Sequence, residues 1–440
     1  MSFRRALTLA LLLMTTSAGA ARAQSTGDAK VSLVDRVWIA SKMYSAVQIY
    51  FGHFQAVPNL DLDAAYKKYL EQALASDDRV AFDLASLEFL SALENGHSGF
   101  NDRWLSENYG QPLGFMLTQV DGQWVVTRTR VDQLAPGDVV SSIDGVPLDE
   151  FYAQKRKYLA ASNETARVRR LFNSPFLFPE NFTLTLADGK VVSIKRREQK
   201  LKDAPPRVTE GRELEPGIVY LRIPSFELAA EEAKAVEFVR GHAGAKTLIV
   251  DVRGNGGGST PGDLIRALMD RPYREITEAS PMSFALFGAY RQVMKILRPD
   301  QGTERDRGAM EALGAYSNPQ LVTPGELKQP EKPLYKGKVL ILTDNECASA
   351  CEDFVIPFKV SGRGRILGQA TTGSTGQPFF FDFGNGMTFR VSAKRVFFPD
   401  GSQFEGVGVT PDLRLQPSPA EMRAGTDIVL NKALELARTN

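Results

Sequence analysis

From Leu33 to Ala92 apolar residues recur at spacings of three and four, in VDRVWIASKMYSAVQIYF and again in DLASLEFLSALE, which predicts a helical N-terminal region. From about Tyr109 the period shortens to two. QWVVTRT follows an Asp121-Gly122 turn, and FTLTLADGKVVSIKRR folds back at Asp188-Gly189, the signature of hairpins in a small β-rich region. The charged, Pro- and Gly-containing stretch QKLKDAPPRVTEGRELEPG, residues 199–217, reads as a linker. Beyond it the apolar, β-branched runs GIVYLRIPSF, KTLIVDVRG and KGKVLILTD are separated by helical stretches such as AAEEAKAVEFVRGH, which predicts an α/β core with buried strands. Between about Pro261 and Lys336 an insertion containing MSFALFGAYRQVMKIL is expected to be mostly helical and to form either a wall of a site or a surface elaboration.

The first 23 residues pair Arg4 and Arg5 with an apolar run from Ala6 to Met14 and end in Ala21-Arg22-Ala23, the pattern of a cleavable secretory signal peptide. The expected mature protein is therefore soluble and exported, to the periplasm or beyond. Cleavage removes three cations and no acid, so the formal charge moves from +1 to −2. With 53 basic and 52 acidic residues among 440 and no basic stripe, nucleic acid is excluded as an expected partner. The division that results is 1–23 signal peptide, 24–106 helical region, 107–200 β-rich region and 201–440 core.

Chemistry is constrained by scarcity. Three histidines (His53, His97, His242) and two cysteines (Cys347, Cys351), with neither HExxH nor CxxC, point away from a metal site, and no organic cofactor is expected. In an oxidising compartment Cys347 and Cys351 either bridge or pack as two small buried thiols. DVRGNGGGST, residues 251–260, ends a strand in clustered glycines whose N–H groups suit a phosphate or a developing oxyanion. The absence of Gly-Lys-Ser/Thr disfavours phosphate. In TDNECASACEDF, Ser349 follows a buried strand and leads into an apolar helix, the place of a nucleophile, although a lone serine there is more commonly a helix cap. His97, in LENGHSGF, is the candidate base, since His53 lies in the aromatic run YFGHF and His242 at a helix end. Glu405, in FPDGSQFEGVGVTPDLRL, is a carboxylate in a constrained turn, suited to orienting an imidazole or simply solvated.

Five stretches carry two resemblances. LAPGDVVSSIDGVPL, residues 134–148, resembles a PDZ domain, which implies peptide contact by strand addition. GIVYLRIPSF, DVRGNGGG, SACE and EGVGVTPD together resemble, in order and spacing, the serine peptidases of the C-terminal processing and tricorn-core group. The resemblance covers nearly the whole mature chain. It implies a multidomain α/β protein: a helical N-terminal region, a PDZ-like domain and a crotonase-like β/β/α spiral core. It also implies that Ser349 is the nucleophile, His97 the base and Glu405 the third member. The oxyanion donors would be the amides of Ala350 and Gly257, with Gly256 as the neighbouring candidate.

Two departures shape the expectation. The processing peptidases carry a lysine 25 residues after the serine, where this chain has Ser374, so a Ser/Lys dyad is replaced by a Ser-His-Glu arrangement. The tricorn core has a serine just before its histidine, whereas here Gly96 precedes His97 and Ser98 follows, leaving Ser98 a candidate accessory residue that orients Glu405 or His97 or caps the helix end. The expected partner is a peptide or protein substrate. The competing readings are an inactive peptide-binding protein on the same fold and an acyl hydrolase acting on non-peptide esters with the same residues.

Overall fold

A computed structural model of the chain describes residues 29–204, 206–281, 320–330 and 332–439. The expected signal peptide and the segment MSFALFGAYRQVMKIL lie outside the described residues. The protein is a mixed α/β assembly of helices and several sheets. Among the described residues no helix is long and apolar enough to cross a membrane.

The centre is a six-stranded sheet in the order Leu413–Arg414, Gly364–Gly368, Lys338–Thr343, Thr247–Asp251, Ile218–Arg222, Glu210–Glu215. The first five strands run parallel and the last is an antiparallel edge. Period-two alternation splits each central strand between two cores. Leu248, Val250, Val339 and Ile341 face the helices Ala229–Gly241, Gly262–Leu268 and Ala350–Ser361. Ile249, Leu340 and Leu342 face the C-terminal helix Ile428–Arg438 through Val429 and Ala433. Burial on both faces is why these strands read as unbroken apolar runs. The edge strand Glu210–Glu215 falls inside the expected linker: its side chains are mostly exposed and charged, so it carries no hydrophobic signal, and charge also protects an open sheet edge.

The β-rich region is an antiparallel sheet in the order Phe115–Val120, Gln123–Thr129, Val139–Ile143, Asn181–Leu186, Val191–Lys195, packed under Leu148–Lys155 and Glu164–Phe172. Both central residues of Asp121-Gly122 and of Asp144-Gly145 have positive φ, as tight two-residue hairpin turns require. The N-terminal helices Leu33–Tyr50, Leu62–Ala75 and Arg79–Ser91 do not close a core of their own. Met43, Tyr69 and Phe82 share one with Phe379, Met387, Phe389 and Val391 from the far end of the chain. The strand Gly99–Asp102 continues that union by pairing with Met387–Ser392, which fastens His97, two residues upstream, onto the core. Of the expected insertion, the described parts hold one seven-residue helix and four short strands, among them Thr277–Pro281 paired with Gln320–Thr323 and Arg395–Phe397; residues 282–319 lie outside the described set.

Candidate active site

Parallel strands place the loops at their carboxyl ends side by side. Asp251 is opposite Leu342, so the glycine loop after Thr247–Asp251 meets the turn after Lys338–Thr343. The loop after Gly364–Gly368, which carries Ser374, lies on the turn's other side and is held by Gln369 N–H to Thr343 O, 3.0 Å, and Thr372 N–H to Cys347 O, 2.9 Å.

Ser349 sits between that turn and the helix Ala350–Ser361 with φ 56° and ψ −124°. For a residue with a Cβ this conformation costs on the order of 1–3 kcal/mol and persists only where its surroundings impose it. Several groups do. Half-buried Asp344 accepts from the amides of Gly254 and Glu346 at 3.0 Å and Cys347 at 3.2 Å. Ala348 N–H donates to Asn255 O, 3.1 Å, and Ser349 N–H to Ser374 O, 3.0 Å. The Cys347 and Cys351 sulfurs form a disulfide with 5.4 Å between Cα atoms, closing a five-residue ring around Ser349. Glu352, fully buried, accepts from Thr371 Oγ1 (2.6 Å), Gly373 N–H (2.6 Å), Ser374 N–H (2.9 Å) and Ser349 N–H (3.2 Å), and so ties the nucleophile turn to the Ser374 loop. Burial pushes its carboxyl up to about 8, against those donors.

Ser374 is the residue that sequence reasoning missed. His97 Nδ1 lies 2.8 Å from Ser374 Oγ, and Ser374 Oγ donates to Glu405 Oε1 at 3.1 Å. A hydroxyl has one proton; spent on Glu405, it leaves Ser374 Oγ as acceptor for Nδ1–H, so the lone pair of the neutral ring is at Nε2. Glu405 Oε1 also accepts from Ser162 Oγ at 2.6 Å and from Asn95 Nδ2 at 3.2 Å. Ser162 Oγ in turn accepts from Gly96 N–H, 2.9 Å. Ser162 precedes the helix Glu164–Phe172 of the β-rich region, while Asn163 donates to Thr372 O, 2.6 Å, and Arg169 to Asn345 O, 2.6 Å. The β-rich region is thereby locked into the site. Gly96 is required here: a Cβ on it would meet Ser374 Oγ at 2.9 Å and Ser162 Oγ at 3.3 Å. The signal for Ser374 is its place 25 residues after Ser349, the lysine's spacing in the processing peptidases; nothing local marks Ser162 or Asn95.

The electrostatics follow from burial. Desolvation first, then the cations Arg390, Arg170 and Lys394, push the His97 imidazole down to about 3, so it is neutral at physiological pH. Desolvation raises Glu405 to about 7, with the Ser162 and Ser374 hydroxyls opposing it. His53 is buried against Ser392 Oγ (2.9 Å) and Lys394 O (2.8 Å), and His242 caps the helix Ala229–Gly241, bonding Phe238 O at 2.9 Å. Lys394 Nζ is paired with Glu278, 2.7 Å.

Two expectations change. Ser98 Oγ reaches neither Glu405 nor the His97 ring; it donates to Asn95 Oδ1 (3.1 Å) and accepts from Ser392 N–H (3.2 Å), because the turn buries it against the strand Met387–Ser392. Gly257 does abut the nucleophile: at φ 101° a Cβ would lie 2.7 Å from Ser349 Cβ and 3.1 Å from Ala350 N. Its N–H, however, donates to the side chain of buried Asn255, 2.9 Å. Gly256 is exposed, facing open space. Among the described residues the Ala350 amide has no hydrogen-bond acceptor, since the first amides of a helix lack intrahelical partners.

A strained serine at a strand-to-helix turn thus stands beside a glycine loop and a His–Ser–Glu chain, an arrangement suited to nucleophilic acyl transfer. Residues 217–415 match the profile of peptidase family S41. The chain is similar to carboxyl-terminal-processing peptidase 2, chloroplastic, of Arabidopsis thaliana, with 23% identity over 311 residues, 70% of this chain and 51% of that protein. It thus spans about half the length of the curated relative it matches. Among solved structures, mature CPAF superposes with a TM-score of 0.68 and 14% identity, both in complex with lactacystin and alone, over 92% of this chain and 98% and 97% of those chains. That likeness is one of fold.

Proposed function

We propose that the protein is an exported serine peptidase that cleaves peptide bonds through an acyl-enzyme. The observation that carries this reading is the continuous chain from the strained Ser349 turn through Ser374 to His97 and Glu405. His97 Nε2 takes the Ser349 Oγ proton as Oγ attacks the scissile carbonyl carbon, and the imidazolium is stabilised through Ser374 by Glu405. The oxyanion rests on the open Ala350 amide, with the Gly257 amide joining when it leaves Asn255. His97 then protonates the leaving amine, and water repeats the sequence to release the acid. The β-rich region, PDZ-like in its sequence, recruits or positions peptide, and the core has the crotonase-like spiral arrangement.

The test is intact mass after fluorophosphonate treatment, which replaces fluoride at phosphorus by Ser Oγ, on the parent, Ser349→Ala and His97→Ala proteins. Adduct on the parent alone supports the reading. A parent that stays unlabelled with and without reductant refutes it in favour of a peptide-binding role.

A further inference from the structure

Two guanidinium groups stand beside the base and, among the described residues, neither is bonded to a carboxylate. Arg390 lies on the strand Met387–Ser392 and, among the described residues, makes no hydrogen bond or ion pair although it is mostly buried. Its register partner across the sheet is Gly99, and a Cβ on Gly99 would meet nothing within 4 Å among the described residues. Directly opposed residues of an antiparallel pair present side chains to the same face, so Arg390 borders open space two residues from His97. Phe380, its other register partner, is half-buried. Arg170, in the last turn of the helix Glu164–Phe172, spans to the same place and donates to Gly96 O at 2.9 Å, one residue before the base.

The arrangement is electrostatically incomplete. Burial and the repulsion of Arg390, Arg169 and Arg167 push Arg170 down to about 10, and no acid among the described residues pulls it back. Glu405 spends Oε1 on the hydroxyls and amide of Ser374, Ser162 and Asn95, and among the described residues neither of its oxygens bonds Arg170 or Arg390. Uncompensated buried cations are costly, and these two also oppose formation of the His97 imidazolium that the proposed reaction requires. A bound anion would answer both costs, and the planar fork of a guanidinium matches a carboxylate.

We propose that Arg170 and Arg390 form a subsite that receives a carboxylate of the substrate beside His97. The inference rests on the peptidase reading above: the carboxylate selects the peptide and at the same time offsets the positive field at the base. Its source is either the peptide's free C-terminus or an Asp or Glu side chain, which share one chemistry.

The experiment measures protection of Ser349 from fluorophosphonate by three pools of N-acetylated hexapeptides: neutral with C-terminal amide, neutral with free C-terminus, and Asp- and Glu-containing with C-terminal amide. The expected result is that one of the carboxylate pools protects at about tenfold lower concentration than the neutral amide pool, and which pool does so identifies the source. In Arg170→Gln and Arg390→Gln the advantage, read as the ratio to the neutral amide pool within each variant, falls away, and Arg390→Lys retains part of it, which separates loss of charge from loss of fold. Equal protection by all pools, or an advantage unchanged in both Gln variants, overturns the subsite. Absence of labelling in the parent overturns instead the peptidase reading on which it rests.

Discussion

Replacing Ser374 by alanine tests the hydroxyl bridge most directly. The side chain is 3% exposed and its Oγ is shared between His97 Nδ1 at 2.8 Å and Glu405 Oε1 at 3.1 Å. Ser374→Ala removes about one hydroxyl's volume and leaves the backbone anchors to Ser349 and Glu352 in place, so the fold should survive. In the reaction, however, the imidazolium loses the one bridge to a carboxylate that the described residues give it. A hydrogen bond to a charged group contributes about 1.5–3 kcal/mol, and about 1.4 kcal/mol is tenfold in rate, so the nucleophile should react about 10- to 100-fold more slowly. The measurement is the second-order rate of fluorophosphonate labelling at Ser349, beside a melting curve. Glu405→Gln, which removes the charge itself, should be slower still, and Ser374→Thr, which keeps a hydroxyl, should recover much of the rate. Labelling of Ser374→Ala within about twofold of the parent, with His97→Ala inert, would falsify the bridging role, since that difference is below the value of even a neutral hydrogen bond.

Other expectations follow from the same geometry. Because burial holds Glu405 at about 7 and His97 at about 3, the base is neutral throughout the working range and the carboxylate limits the rate: labelling should climb as pH rises through about 7 and lose that step in Glu405→Gln; a rate flat from pH 5 to 8 contradicts this. The Cys347–Cys351 ring helps impose the positive φ of Ser349, so the double variant Cys347→Ala/Cys351→Ala should label several-fold more slowly; an unchanged rate means that Asp344, Asn255 and Glu352 suffice. Asp83, buried beside the Arg79–Asp102 pair, is pushed up to about 10, chiefly by desolvation and then by the Asp102 charge. Since the folded value is raised, its stabilising contribution is complete below the ordinary carboxylate range and drains away as pH rises toward 10. Asp83→Asn should therefore gain in melting temperature over the parent between pH 5 and pH 9, and a constant gap between the two proteins would contradict the assignment.

The strands and helices of this protein are written locally, and so are the loops that end them. Period-two and period-three-to-four patterns report which face of an element meets apolar neighbours, and that suffices for Thr247–Asp251, Lys338–Thr343 and the N-terminal helices. Glycines in DVRGNGGGST and the serine of SACE mark places where backbone is exposed at strand ends, so Ser349 was legible as well. What no local pattern holds is the company each polar group keeps. Glu405 Oε1 gathers donors from Asn95, Ser162 and Ser374, which belong to three loops separated by tens to hundreds of residues. Whether a hydroxyl bridges, caps a turn or faces solvent depends on the position of those loops to within about half an ångström. The tertiary structure therefore decided that Ser374, at the lysine's spacing, links base to carboxylate, that Ser98 is spent on Asn95 and Ser392, that Gly257 gives its amide to Asn255, and that the residues before the helix Glu164–Phe172 complete the site. Apolar burial is additive along the chain and leaves a periodic trace; hydrogen-bond partnership is a property of converging loops and leaves none.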